Sequence, residues 1–322
     1  MTQISLTKAD KKRTLEATGH WPDTHHIFDR RDLLAVNLAL AAGRPLLLRG
    51  DPGCGKSQLA RAAAHALGWP FLCKVVNARS EPEDLLYRFD AVARLAQAQI
   101  LPRDPGSMAQ LSAANFLIPE VLWWAFDHGE ARRRLAQAAR CCGDLGCDYG
   151  LGLLHPFAED KGCVVLIDEI DKADSEVPNS LLEVFSLGGF SLPYGGGSVT
   201  TTNCLRPLVI VTTNEDRELP PAFLRRCLVH QMDRGEDELP KFLEERVRAH
   251  HPDTDKLSGG VIATAIKQLM SDRRALASSE LAKPGLAELL DLLSGLVGQG
   301  LGANETKVAD FAAFAFNKHR EL

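Results

Sequence analysis

The residues best suited to chemistry are Gly50, Asp51, Pro52, Gly53, Cys54, Gly55, Lys56 and Ser57, which together take the form G-x-x-x-x-G-K-[ST]. Glycines at 50, 53 and 55 let successive backbone N–H groups turn inward onto phosphate oxygens. Lys56 supplies a cation for the β and γ phosphates, and the Ser57 hydroxyl is a ligand for Mg²⁺. Gln58 opens an Ala-rich helical pattern whose N-terminus faces the same anion. The plain alternative is a glycine-rich turn with an incidental lysine. The apolar run Pro45–Arg49 before the loop and the helix after it weigh against that alternative.

A second constellation lies downstream. Cys163-Val164-Val165-Leu166-Ile167 is an unbroken apolar run that ends in Asp168 and Glu169. A strand without polar alternation is buried on both faces, as in a parallel sheet covered by helices. Acids just beyond it sit at the carboxyl edge, where open α/β sheets bind ligands. Asp168 there orders Mg²⁺ and Glu169 polarises an attacking water; the competing reading is helix N-capping. Leu208–Asn214 is another buried run with a polar end, and Asn214 could orient the same water or serve as a turn former. Leu219–Cys227 reads as a short helix ending in Arg225 and Arg226, cations that a helix C-terminus also favours.

The elements that must position these residues follow from periodicity. Asp29–Gly43 is an amphipathic helix stopped by Gly43 and Pro45. Strands are expected at 45–49, 71–76, 163–168, 208–214 and 228–232, and a β-hairpin at 190–202 turning on Gly195, Gly196 and Gly197. Leu101–Gly106 reads as a turn-rich break, Pro119–Phe126 and Ala131–Arg140 as helices, and Ile170–Phe185 as one helix. From residue 235 onward the pattern is helical throughout: Glu236–His250, Gly260–Met270, Leu286–Leu296 and Lys307–Lys318. The expectation is an α/β domain with a parallel five-stranded sheet over 29–234, carrying a helical insertion at about 90–160. A polar lead-in over 1–28 precedes it and a small all-α domain over 235–322 follows.

Composition weighs against several classes. The net charge of −5 gives no electrostatic reason to expect a polyanion partner, so nucleic acid is disfavoured. No apolar stretch of about 18 residues occurs, so no membrane span is expected. Met1–Arg13 lacks the apolar core of a secretory signal. Eight scattered cysteines suit reduced thiols in a cytoplasmic compartment. Cys141, Cys142 and Cys147 cluster without a second Cys or His pair at zinc-ligand spacing.

In this order, the phosphate loop, Asp168-Glu169, Asn214, the paired arginines and a helical tail resemble the AAA+ ATPases. Within them, the glycine-rich hairpin before Asn214 resembles the pre-sensor hairpin of the clade with an insert in its second helix. Ile118–Phe126 and Leu219–Arg226 are similar to MoxR-type sequences. The resemblance implies ATP and Mg²⁺ as ligands and Asn214 as the sensor of the γ-phosphate. It makes Arg226, with Arg225 as second choice, the finger reaching a neighbouring subunit's nucleotide, and the tail a lid. Where many relatives carry a Ser-Pro-Arg sensor, this chain has Lys283-Pro284-Gly285. Lys283 is the substitute, a point charge without the bidentate fork. The family implies a homo-oligomeric ring, expected to be hexameric, that remodels a client protein, with von Willebrand factor A domain proteins as partners and bacterial conflict systems as one setting. Tyr87-Arg88-Phe89 and Tyr194 are candidate client contacts, against a bland reading as core aromatics. Rival readings are a nucleic-acid AAA+ machine such as a clamp loader or helicase, an ATP-binding regulatory switch, and a small-molecule kinase.

Overall fold

The computed structural model describes residues 6, 12–19, 21–102, 105–142, 154–201, 205–252, 256–276 and 283–316. The chain enters through an antiparallel ribbon, β1 (Lys12–Leu15) with β2 (Thr24–Ile27). Leu15 and Phe28 are buried, and Trp21 meets Phe71 edge-on. Reading this segment only as a polar lead-in missed both strands, whose sequences KRTL and THHI carry too little apolar alternation to register.

Helix α1 (Arg30–Ala42) is closed at one end by an Asp29–Asp32 capping box and at the other by left-handed Gly43. Next come β3 (Leu46–Arg49), the glycine loop, α2 (Lys56–Leu67) and β4 (Phe71–Val75). The insertion holds β5 (Tyr87–Phe89), α3 (Ala91–Ile100), α4 (Pro105–Gln110), β6 (Leu117–Pro119), α5 (Val121–Phe126) and α6 (His128–Cys142). Part of the break expected at Leu101–Gly106 is therefore helical. Cys147 lies outside the described residues.

Then follow β7 (Val164–Asp168), α7 (Glu176–Leu187), a hairpin of β8 (Gly189–Ser191) with β9 (Ser198–Thr200), β10 (Leu208–Thr213), α8 (Pro221–Arg226) and β11 (Leu228–Gln231). The single helix expected over Ile170–Phe185 is in fact a 3-10 turn, Ile170–Lys172, and then α7. Ala173, extended at ψ 163, separates the two.

Five of the strands form one parallel sheet in the order β11-β3-β10-β7-β4. Its two faces explain the unbroken apolar runs. Leu46, Leu48, Val164, Leu166 and Ile210 pack with α1, α2 and the ribbon, whereas Leu47, Val165, Ile167, Val209 and Val211 pack with α5, α7 and α8. Period-2 alternation thus sends apolar side chains to two separate cores. Helices α9 (Leu239–His250), α10 (Gly259–Ala275), α11 (Leu286–Gly298) and α12 (Val308–Ala315) share a third core around Leu243, Val247, Leu269 and Leu293. Among the described residues, no helix is long and apolar enough to cross a membrane.

Candidate functional site

Strand β3 delivers the chain to the carboxyl edge of the sheet, where the loop turns into α2. Gly53 and Gly55 have φ of +75° and +98°, a region costly for residues with a Cβ. A Cβ added at Gly55 would meet nothing within 4 Å, so this part of the loop borders open space. Gly55 is also the N-cap of α2 and makes no side-chain capping bond. The first amides of α2 thus remain available to an anion. Buried Lys56 folds back, its Nζ donating to the carbonyls of Gly50 at 2.6 Å and Asp51 at 3.0 Å. The Asp51 N–H donates to Asp233 Oδ1 at 2.8 Å, anchoring the loop's start beyond β11.

From the next strands come the oxygens. Ser57 Oγ donates to the Asp168 carboxylate at 2.9 and 3.0 Å. Thr212 Oγ1 donates to Asp168 Oδ1 at 2.5 Å and accepts the Glu169 N–H at 2.9 Å. Glu169 is held left-handed, at φ 59° and ψ 47°, a conformation that costs a non-glycine residue about 1 kcal/mol or more. Asn214 Nδ2 donates to Glu169 Oε1 at 3.4 Å. The Ser57 hydroxyl and Asp168 carboxylate are hard oxygen donors, the set Mg²⁺ takes, so the residues present fit that ion.

Beside the loop lies a cavity of about 170 Å³ walled by His26, Cys54, Gln58, Phe242, Leu286 and Leu290. His26 Nε2 and Gln58 Nε2 are buried there without hydrogen-bond partners. A narrow cavity that offers unsatisfied imidazole and amide nitrogens beside the apolar Phe242, Leu286 and Leu290 suits a flat heteroaromatic ring. A larger concavity, about 670 Å³, lies instead on α9 and α10 and includes no loop residue.

The structure therefore brings Gly50–Gln58, Asp168, Glu169 and Asn214 together. It does not bring Arg225 and Arg226 to them. Leu228, two residues past Arg226, pairs with Leu46 at the start of β3, while the loop follows Arg49 at its end. Four residues of strand put the exposed arginines on the opposite sheet edge, ~13 Å away along β3 alone. Half-buried Lys283 also makes no ion pair with the loop among the described residues. Arg273, at the end of α10, does: its Nη2 stands 3.0 Å from Asp51 Oδ2 and its Nη1 donates to the Pro284 carbonyl at 2.7 Å.

Sequence reasoning missed Arg273, Thr212 and Asp171. Thr212 had a signal, since hydroxyls at the end of an otherwise aliphatic buried run invite a partner. Asp171 had one too, as a third acid after β7.

A glycine loop between a buried parallel strand and a helix, faced by acids from the end of a neighbouring strand, defines a P-loop nucleotide-binding α/β protein. Residues 45–227, more than half of the chain, match the family model for the AAA domain of the dynein-related subfamily. The protein belongs to that family, within the AAA+ superfamily. No curated protein matches the sequence. Among solved structures, a proline-to-glycine mutant of Thermotoga maritima RuvB is 15% identical, covers 85% of this chain and 70% of its own, and has a TM-score of 0.37.

Proposed function

We propose that the protein is an ATP-hydrolysing, ring-forming AAA+ machine of MoxR type that uses its cycle to remodel a partner protein. The observation that carries this reading is the division of the site. One chain holds the cradle, the metal-side oxygens, Glu169 and Asn214, while its candidate trigger arginines stand on the far sheet edge. An arginine placed there acts only on a neighbour's nucleotide, which requires a head-to-tail ring.

In this reading the loop amides and Lys56 bind the phosphates, and the cavity beside Gln58 and His26 takes the adenine. Ser57 and Asp168 would hold Mg²⁺, which when bound neutralises charge on the β and γ phosphate oxygens. Glu169 takes the proton of the attacking water, and the Asn214 amide fixes its carboxylate. The helices from 235 onward act as a lid, with Lys283 between α10 and α11. Hexameric stoichiometry, a client or adaptor with a von Willebrand factor A domain and a place in a bacterial conflict system follow from the MoxR resemblance, and a cytoplasmic setting from the scattered cysteines.

The test is enzymatic. Glu169→Gln is expected to bind ATP with turnover reduced at least about a hundredfold, and to retain the client in a pull-down. Arg226→Ala is expected to bind ATP but not hydrolyse it. A fully active, monomeric Arg226→Ala protein would sink the reading.

A further inference from the structure

Arg44 lies between α1 and β3, after the left-handed Gly43 and before Pro45. Its guanidinium reaches a segment more than 180 positions later. Nε donates to the Arg226 carbonyl at 3.0 Å, and Nη2 donates to those of Arg225 at 2.5 Å and Cys227 at 3.3 Å. The adjoining Pro45 carbonyl accepts the Leu228 N–H at 2.8 Å. Two consecutive residues thus tie the main chain at 225–228 to the foot of β3, the strand that carries the loop.

Helix α8 needs that tie. It has six residues, so most of its carbonyls are terminal and lack intrahelical donors. The Cys227 N–H closes on Phe223 and Leu224, and the carbonyls of residues 225 to 227 fall to Arg44. A planar guanidinium with a fixed fork serves several acceptors at once, which an ammonium does not. Arg44 is itself exposed, so its loss opens no cavity in either core.

We propose that Arg44 is a positioning residue for hydrolysis in the neighbouring subunit: it fixes the main chain from which Arg225 and Arg226 project, the Arg226 Nε itself donating to Ser186 Oγ at 3.1 Å. This rests on the reading that those arginines act in trans. A trigger arginine works only in register with the developing charge, and a displacement of about 1 Å at such a group costs roughly a hundredfold in rate.

Steady-state hydrolysis and ATP affinity of Arg44→Ala, alone and mixed with Lys56→Ala, test the proposal. Arg44→Ala is expected to bind ATP within about twofold of the parent while kcat falls roughly ten- to hundredfold, and Arg44→Lys to recover only part of the loss. Lys56→Ala lacks a working cradle but carries sound arginines. A one-to-one mixture therefore places a sound arginine beside a sound cradle at about a quarter of interfaces, and turnover rises above that of either variant alone. Parental turnover in Arg44→Ala overturns the proposal. So does a loss of turnover matched by an equal loss of affinity that mixing does not relieve, the mark of a merely structural role. The double variant Arg225→Ala, Arg226→Ala separates the two readings. If it hydrolyses at the parental rate, the trans reading has failed; if it is inactive while Arg44→Ala is not, only the role of Arg44 has.

Discussion

Arg273 Nη2 stands 3.0 Å from Asp51 Oδ2, joining the end of α10 to the second residue of the phosphate loop across 222 positions of sequence. Arg273 is mostly buried and also holds the Pro284 carbonyl, so one guanidinium fixes both the loop and the entry to α11. Asp51 is 42% exposed, which screens the pair and limits its worth to about 1 kcal/mol. Arg273→Ala is accordingly expected to weaken ATP binding about fivefold, and Arg273→Lys to behave like Arg273→Ala because an ammonium lacks the fork. Fluorescent-nucleotide titration checks this; unchanged affinity in Arg273→Ala would remove any role for the clasp in binding.

That contact also marks where the sequence stops being legible. The loop, Asp168-Glu169 and the five strands could be read because each signal is local. A strand buried on both faces is an unbroken apolar run, and glycines at 50, 53 and 55 have no other common use at that spacing. Arg273 could not be read, because a cation in the last turn of a helix looks the same whether it faces solvent or a loop 222 residues away. Lys283 stands where the family pattern places a sensor, whereas the cation of the helical segment that meets the loop comes from the preceding helix. Thr212 reads first as a β-branched strand former, and its bonds to Asp168 and Glu169 exist only once β10 pairs with β7. The ribbon β1–β2 escaped because its stability comes from packing on α2 and Phe71, not from its own pattern.

Asp171 is 1% exposed, and its Oδ2 accepts the N–H groups of Asn214 at 3.2 Å and Asp216 at 3.0 Å. Removing it leaves two amides without their acceptor and frees the loop that aims Asn214 at Glu169. Asp171→Ala is expected to lose about 1 to 3 kcal/mol of stability together with turnover. Asn214→Ala is expected to lose turnover with stability within about 0.5 kcal/mol of the parent. Urea unfolding and ATPase assays on the pair decide it; parental turnover in Asp171→Ala would show that the loop holds itself.

Cys54 sits within the phosphate loop, yet burial pushes its thiol up to about 11, and the nearby Lys56 charge only partly offsets this. The reactive thiolate is then ~0.03% of the population at pH 7.5. Iodoacetamide is expected to label Cys54 at least about tenfold more slowly in the native protein than in urea, as followed by peptide mass spectrometry. Fast native labelling would mean that the loop opens to solvent.

His26 and His250 join the ribbon to the helical segment, with the His25 and His250 rings 5.8 Å apart. Burial lowers His26 to about 4; Arg246 and His250 push the same way and Asp32 opposes them. Burial, then His25, His251 and Lys12, lower His250 to about 4, against a backbone hydrogen bond. In the unfolded chain both titrate near 6.5. Between those values the unfolded state binds more protons, so stability rises with pH. The contribution is fully present above about 6.5 and is lost as pH falls towards 4, by up to about 1.4 kcal/mol per pH unit for each histidine. His250 is partly exposed, so its share is the smaller. Urea midpoints at pH 7.5, 6.0 and 5.0 should therefore fall steeply in the parent and less steeply in His26→Leu. Comparing the two proteins removes the carboxylate titrations they share. Equal slopes would show that His26 takes up its proton without cost in the folded state.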